Sequence, residues 1–152
     1  MTKPTSKLDL ETFAPFYWTA ISNRWTADSS RLYLERFGIG IVEWRVLTAL
    51  ADVEGVTSLE AARLAALDTG AANRAMNQLR EKNLVAPKEG KFERRSKPFE
   101  MTTAGVALYE KIKPLAQARI DYLMSDLDDD ERRRFLDALR AIYRRTADLS
   151  DR

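Results

Sequence analysis

Two residue types are missing from the 152-residue chain, and each absence excludes a class of function. Because there is no cysteine, the chain has no disulfide framework, no thiolate zinc site and no thiol redox switch. Because there is no histidine, it lacks the commonest general base and metal ligand. Catalysis or metal binding would depend on carboxylates, so we expect a protein that is not an enzyme and that uses no metal and no cofactor.

Long apolar runs are absent too. No run approaches the roughly 20 residues that span a bilayer. The N-terminal stretch MTKPTSKLDLETFAPF has no apolar core followed by a small-residue cleavage site, as an export signal would. Apolar residues still make up 45% of the chain, which is enough for a core. We therefore expect a cytoplasmic protein with one compact unit, residues 1–152, and no membrane association.

The small net charge of +2 is unevenly distributed. Residues 73–97 contain eight lysines and arginines and only three glutamates, so the rest of the chain is net negative. A basic segment in an otherwise slightly acidic chain is typical of a nucleic-acid-binding face. The same charges would also suit a solvated hairpin, and the charge count alone does not decide between the two.

The spacing of apolar residues predicts a mainly α fold with a small β-hairpin. Apolar side chains at three- and four-residue steps indicate helices over residues 10–37, 41–53, 57–67, 69–82, 104–123 and 129–148. Short stretches at 84–86 and 99–102 indicate two strands around a basic loop, with Gly90 as a turn residue. The order predicts a winged helix-turn-helix DNA-binding lobe over 38–103, flanked by helical dimerisation arms over 10–37 and 104–148.

Local signals support several helix boundaries. Thr57 and Glu60 have the spacing of a capping box. Asp68 or Thr69 can cap the fourth helix. Pro114 interrupts the fifth helix, which either kinks there or consists of two pieces.

Three segments in order resemble the MarR (multiple-antibiotic-resistance regulator) family of transcription factors. They are Phe37–Leu47, Asn73-Arg74 followed by Leu79–Val85, and Glu93–Lys97 leading into Met101–Gly105. The third is the most specific, because an acidic-x-Arg wing running into Met-Thr-x-x-Gly is uncommon elsewhere. The family pattern usually has Asp where this chain has Glu93, and Gly where it has Asn83, a residue that tolerates left-handed geometry. The resemblance covers about residues 10 to 145.

The resemblance implies a helix that enters the major groove of double-stranded DNA and a wing that reaches the minor groove or its phosphates. Arginine can pair with guanine and asparagine with adenine. The small side chains at the start of the fourth helix would let its backbone approach a phosphate. The candidate DNA-binding residues are Thr69, Gly70, Ala71, Asn73, Arg74, Asn77, Lys88, Lys91, Arg94, Arg95 and Lys97.

Members of this family assemble as two-fold dimers through their first, fifth and sixth helices. The resemblance therefore implies a homodimer on a pseudo-palindromic operator, acting as a repressor that a small, often aromatic, effector releases. Phe16, Tyr17, Trp25 and Trp44 either line such an effector pocket or belong to the core and the dimer interface. The lack of cysteine and histidine argues against the peroxide-sensing and zinc-sensing branches of the family.

Two other functions fit the sequence. The sparse start Gly70-Ala71-Ala72 suits a winged-helix interaction module with weak or non-specific DNA binding and no effector. The acidic run Asp128–Glu131 could serve carboxylate catalysis, but four consecutive acidic residues at a helix start are better explained by capping and solvation.

Overall fold

The computed structural model describes residues 8–92 and 97–149. These residues form six helices and one two-stranded hairpin, in the order that the sequence predicts. The elements are α1 (Ala14–Phe37), α2 (Ile41–Asp52), α3 (Ser58–Leu64), α4 (Thr69–Glu81), β1 (Val85–Pro87), β2 (Phe99–Met101), α5 (Thr103–Leu123) and α6 (Asp129–Thr146). The predicted fold class, mainly α with a small hairpin, is confirmed. Among the described residues, none of the helices combines the length and the hydropathy of a membrane-spanning segment.

The chain divides after Glu110 into two compact units. The first unit contains α1 to α4, the hairpin and the start of α5, and the second contains the rest of α5 and α6. The sequence-based division into a lobe over 38–103 and two arms stays a prediction.

Two helix boundaries differ from the prediction by three or more residues, each for a local reason. α1 begins at Ala14 rather than near residue 10, because the backbone N–H of Glu11 donates to the Asp9 side chain in a turn. α3 ends at Leu64 rather than at residue 67. Ala66 has a φ of +49°, a left-handed conformation that an α-helix cannot continue.

The core of the first unit lies between α2, α3 and α4. Val46 and Leu47 of α2 are fully buried there. The inward face predicted for α4 is confirmed, since Ala72, Ala75, Met76 and Leu79 are all buried. Small alanines on α3 and α4 let the two helices pack closely. The opposite face of α4 is turned to solvent.

The hairpin is antiparallel, with Val85 opposite Met101 and Pro87 opposite Phe99. Asn83 turns the chain from α4 into β1 with a φ of +56°, as expected of a residue that tolerates left-handed geometry. On the other side of β2, Val56 and Phe99 exchange two backbone hydrogen bonds of 3.0 and 2.8 Å. These bonds attach the base of the wing to the segment that leads into α3.

An aromatic cluster connects α1, α2 and the start of α5. Trp44 stacks on Tyr109 with ring centroids 5.3 Å apart, and meets the edge of Tyr33 at 5.9 Å. Tyr33 in turn lies 6.3 Å from Phe37. Trp44 is only 8% exposed, so it is a core residue of the first unit.

The second unit consists of the end of α5 followed by α6. Pro114 lies inside one helix, Thr103–Leu123, so the alternative of two separate pieces is wrong. Asp128 and Glu131 form a capping box in which each side chain accepts the other's backbone N–H, at 2.8 and 2.9 Å. The acidic run is thereby accounted for as a helix cap.

Candidate nucleic-acid interface

The N-terminus of α4 is capped by Asp68. Its Oδ1 accepts the backbone N–H of Ala71 at 2.8 Å, which settles the choice between Asp68 and Thr69 as the cap. The N–H of Ala71, one of three candidate phosphate donors, is therefore used within the chain. The N–H groups of Thr69 and Gly70 lie in the first turn, where no intrahelical acceptor exists, and these two remain available to an anion.

The solvent face of α4 carries the predicted base-reading residues. Asn73, Arg74 and Asn77 are all exposed. A Cβ placed on Gly70 would lie 3.1 Å from Asp68 Oδ1 and 3.3 Å from Nη1 of Arg74. The missing side chain thus leaves room for both the cap and the Arg74 guanidinium at the N-terminal end of the helix.

The turn before α4 is held by the side chain of Arg45, to which the sequence analysis assigned no role. Arg45 of α2 donates through one guanidinium nitrogen to the carbonyl of Ala65 and, at 2.8 Å, to that of Ala66. These bonds satisfy carbonyls at the end of α3 that have no helical partner. They keep the chain in the conformation that leads directly into α4.

The start of α3 is capped as the sequence predicts. Thr57 Oγ1 accepts the N–H of Glu60 at 3.3 Å, and Glu60 Oε2 accepts the N–H of Thr57 at 2.9 Å. The hydrogen bonds from the Thr57 backbone and hydroxyl lower the pKa of the Glu60 carboxyl below its ordinary value. α3 and α4 are therefore both fixed at their N-terminal ends by side-chain caps.

Of the six cations in residues 73–97 that the structure describes, two pair with carboxylates outside that segment. Lys82 Nζ lies 2.6 Å from Glu43 Oε1, and Lys88 Nζ lies 2.7 Å from Glu54 Oε1. The hydrogen bond and charge of Lys88 lower the pKa of Glu54, and the hydrogen bond that Lys88 donates to Glu54 raises the pKa of Lys88. The positive charge available to a partner is therefore smaller than the count from the sequence.

The outer part of the wing holds the remaining candidates. Lys91 and Lys97 are exposed, and the backbone N–H of Lys88 donates to the Pro98 carbonyl at 2.8 Å to close the base. Arg94 and Arg95, like Glu93, lie outside the described residues, so their roles stay predictions.

The four aromatic effector candidates form no single group within one chain. Phe16 and Tyr17 are about half exposed and pack against each other edge to face, 5.3 Å apart. Trp25 is half-buried, and Trp44 belongs to the buried cluster. Tyr33, which contacts Trp44, follows Tyr17 by sixteen residues on the same helix, a rise of about 24 Å.

One cavity in the first unit was not anticipated from the sequence. It is open to solvent and has a volume of about 340 Å³. Its lining residues are Thr48, Ala49, Ala51, Asp52, Leu64 and Tyr109. These residues come from α2, α3 and α5, so no local pattern in the sequence connects them.

Comparisons with known proteins agree with this architecture. Residues 37–96 match a family model described as MarR family. A MarR/EmrR family transcriptional regulator from Acinetobacter sp. ADP1 is 22% identical, with a TM-score of 0.86 over 93% of this chain and 100% of that one. A search of curated proteins finds no match.

Two further solved structures share the fold at a TM-score of 0.75 and 19% identity. One is S. aureus MepR in complex with DNA, matched over 88% of this chain and 96% of that one. The other is Bordetella bronchiseptica BpsR, whose DNA binding is regulated by 6-hydroxynicotinic acid, matched over 91% and 98%. The resemblance to the MarR family that the sequence indicates is thereby confirmed over residues 37–96, which match the family's model, and the described residues share the fold of solved MarR family transcriptional regulators.

Proposed function

We propose that this protein is a sequence-specific transcriptional regulator that binds double-stranded DNA as a homodimer. One observation carries the proposal: Asn73, Arg74 and Asn77 are exposed on α4, a capped helix whose opposite face is buried. A rigid helix with polar side chains turned to solvent, followed by a basic hairpin, is the arrangement that reads a major groove. The likeness to MepR, which was solved bound to DNA, supports the same use of this fold.

In this arrangement α4 reads bases and the wing supplies attraction. Arg74 can make a bidentate contact to guanine, and asparagine can do the same to adenine, each worth about 1–3 kcal/mol of discrimination. The first-turn N–H groups of Thr69 and Gly70 bind a phosphate. Lys91 and Lys97 add contacts to phosphates or the minor groove, and Arg94 and Arg95 are predicted to do the same. Lys88 contributes less, because Glu54 already pairs with it.

The dimer is supported by apolar surface that each unit leaves open. On α1, Phe16, Tyr17 and Ile21 are about half exposed or more. On α6, Phe135, Leu139 and Ile142 are each about 40% exposed. Exposed apolar stripes of this kind mark protein–protein interfaces. Two copies related by a two-fold axis would place two α4 helices about 34 Å apart, one turn of DNA, on a pseudo-palindromic operator.

The regulatory part of the proposal is repression that a small aromatic molecule relieves. BpsR, which has this fold, responds to 6-hydroxynicotinic acid. In the present chain Phe16, Tyr17 and Trp25 offer aromatic surface on α1 that is at least partly accessible. Trp44 offers less, since it is buried against Tyr33 and Tyr109.

The test is the affinity for DNA taken from upstream of the protein's own gene, measured by fluorescence anisotropy at two salt concentrations. We expect tight binding to this DNA and much weaker binding to an unrelated duplex of the same length. Equal binding to both duplexes, or none, would refute sequence-specific regulation and favour an interaction module with non-specific DNA binding.

Variants separate the two parts of the interface. Arg74→Ala should lose about 1–3 kcal/mol of binding free energy on the specific duplex and little on the unrelated one. Arg95→Ala should weaken binding to both. Arg31→Ala is a matched control, because Arg31 is an exposed arginine of α1 that pairs with Asp28. An unchanged affinity for Arg95→Ala would remove the wing from the interface.

A further inference from the structure

A buried carboxylate joins three parts of the first unit. Glu43 lies in the first turn of α2, and its side chain is only 7% exposed. One oxygen, Oε2, accepts the backbone N–H of Gly40 at 2.7 Å. The other, Oε1, lies 2.6 Å from Lys82 Nζ. A buried charge is tolerated only when it is paired and hydrogen-bonded, and both requirements are met here.

Lys82 extends this network to the end of α1. Its ammonium group also donates to the carbonyl of Gly38 at 2.8 Å. Gly38 is the left-handed residue that ends α1, with a φ of +70°, whereas Lys82 is the residue that ends α4. One ammonium group therefore connects the turn between α1 and α2 to the C-terminal end of α4.

The charges also suit the helices that carry them. Glu43 lies at the N-terminus of α2 and Lys82 at the C-terminus of α4, where helix dipoles favour a negative and a positive charge respectively. The next residue is Asn83, which directs the chain into β1. The pair thus lies where the proposed base-reading helix passes into the wing.

We propose that Glu43 and Lys82 are positioning residues for DNA binding. The ion pair holds the C-terminal end of α4 against the turn between α1 and α2. It thereby sets the direction in which the exposed face of α4 meets DNA. The inference rests on the function proposed above, and it assigns to Lys82 a role inside the protein rather than a contact with phosphate.

The test compares three variants by DNA affinity as a function of salt. Glu43→Gln keeps an acceptor for the Gly40 N–H and removes the charge, whereas Lys82→Met removes the ammonium group. We expect each to bind about tenfold more weakly than the wild type at every salt concentration, which is about 1.4 kcal/mol. The slope of log K against log salt should stay unchanged, and Lys82→Arg, which keeps the cation, should restore most of the affinity.

A direct phosphate contact by Lys82 gives a different result. Lys82→Met would then reduce the salt slope by about 1, and Glu43→Gln would leave the affinity unchanged. Either observation would overturn the proposal, as would wild-type affinity in both Glu43→Gln and Lys82→Met.

Amide hydrogen exchange of the protein without DNA tests whether the Glu43–Lys82 pair holds the C-terminal end of α4, a connection called the link. The N–H groups of Asn83 and Leu84 are hydrogen-bonded to the carbonyls of Arg80 and Leu79, each at 2.9 Å. Glu43→Gln should accelerate exchange at these two amides, some 40 residues away along the chain, more than at Ala61 of α3. Uniform acceleration at all amides, or none at Asn83 and Leu84, would overturn the proposal. Absence of DNA binding by the wild type would refute the proposed function, and the exchange result would still report on the link.

Discussion

Gly105 allows a sharp prediction, because a substitution that normally stabilises a helix should destabilise this one. Replacing glycine by alanine inside a helix usually gains about 0.5–1 kcal/mol. At Gly105, however, a Cβ would lie 2.0 Å from the carbonyl oxygen of Leu84 and 3.0 Å from its carbon. The obstacle is backbone, which cannot rotate away as a flexible side chain can.

The cost follows from what must move. The Leu84 carbonyl accepts the N–H of Thr102 at 3.0 Å, so relieving the clash strains or breaks this bond. Overpacking costs about 1–3 kcal/mol and a lost hydrogen bond about 1 kcal/mol. After the gain in helix propensity is subtracted from these costs, we expect Gly105→Ala to lower the free energy of unfolding by about 2 kcal/mol. For a chain of this size that lowers the melting temperature by roughly 4–8 °C.

Thermal unfolding followed by circular dichroism measures the effect. Gly38→Ala is the control, because a Cβ there meets nothing within 4 Å and only the φ of +70° is unfavourable. Gly38→Ala should lower the free energy of unfolding by about 1 kcal/mol. Since Leu84 directly precedes β1, Gly105→Ala should also displace the wing and weaken DNA binding. A melting temperature for Gly105→Ala at or above that of the wild type would refute the close approach of α5 to β1.

Three further predictions concern the cap, the wing and the aromatic cluster. Asp68→Asn keeps an acceptor for the first turn of α4 and removes a negative charge, so DNA should bind more tightly by about 1 kcal/mol; unchanged affinity in a gel shift would place this helix end away from phosphate. Because Lys88 lowers the pKa of Glu54, their pair stabilises the fold above the ordinary carboxyl pKa of 4.5, and this contribution is lost as the pH falls through the lowered folded value. The melting-temperature difference between wild type and Glu54→Gln should therefore be larger at pH 7 than below the folded pKa, and a pH-independent difference would contradict the pair. Trp44→Ala should cost about 3–5 kcal/mol in urea unfolding, whereas a loss under about 1 kcal/mol would show that Trp44 is not a core residue.

Features encoded by a few neighbouring residues were predictable from the sequence. The capping box of Thr57 and Glu60 depends on a three-residue spacing, and the structure confirms it. The left-handed turn at Asn83 was expected from its residue type, and its φ is positive. The inward face of α4 followed from helical periodicity. Each of these signals is complete within one or two turns of chain.

Features that depend on residues distant in the chain were not predictable. Lys82 and Lys88 counted as free cations in the sequence, yet their partners Glu43 and Glu54 lie 39 and 34 residues away. The early end of α3 depends on a left-handed Ala66, a conformation that alanine rarely adopts and that Arg45 of another helix supports. For the same reason the sequence could not show that Phe16 and Trp44 lie in separate places.

The central claim, that a dimer reads DNA through two α4 helices, is tested most directly by selection of bound sequences from a pool of random duplexes. We expect enrichment of a pseudo-palindrome whose half-site centres are about 10–10.5 base pairs apart, and loss of preference at one position of each half-site in Arg74→Ala. Recovery of an unpaired half-site, or no enrichment over the starting pool, would contradict it.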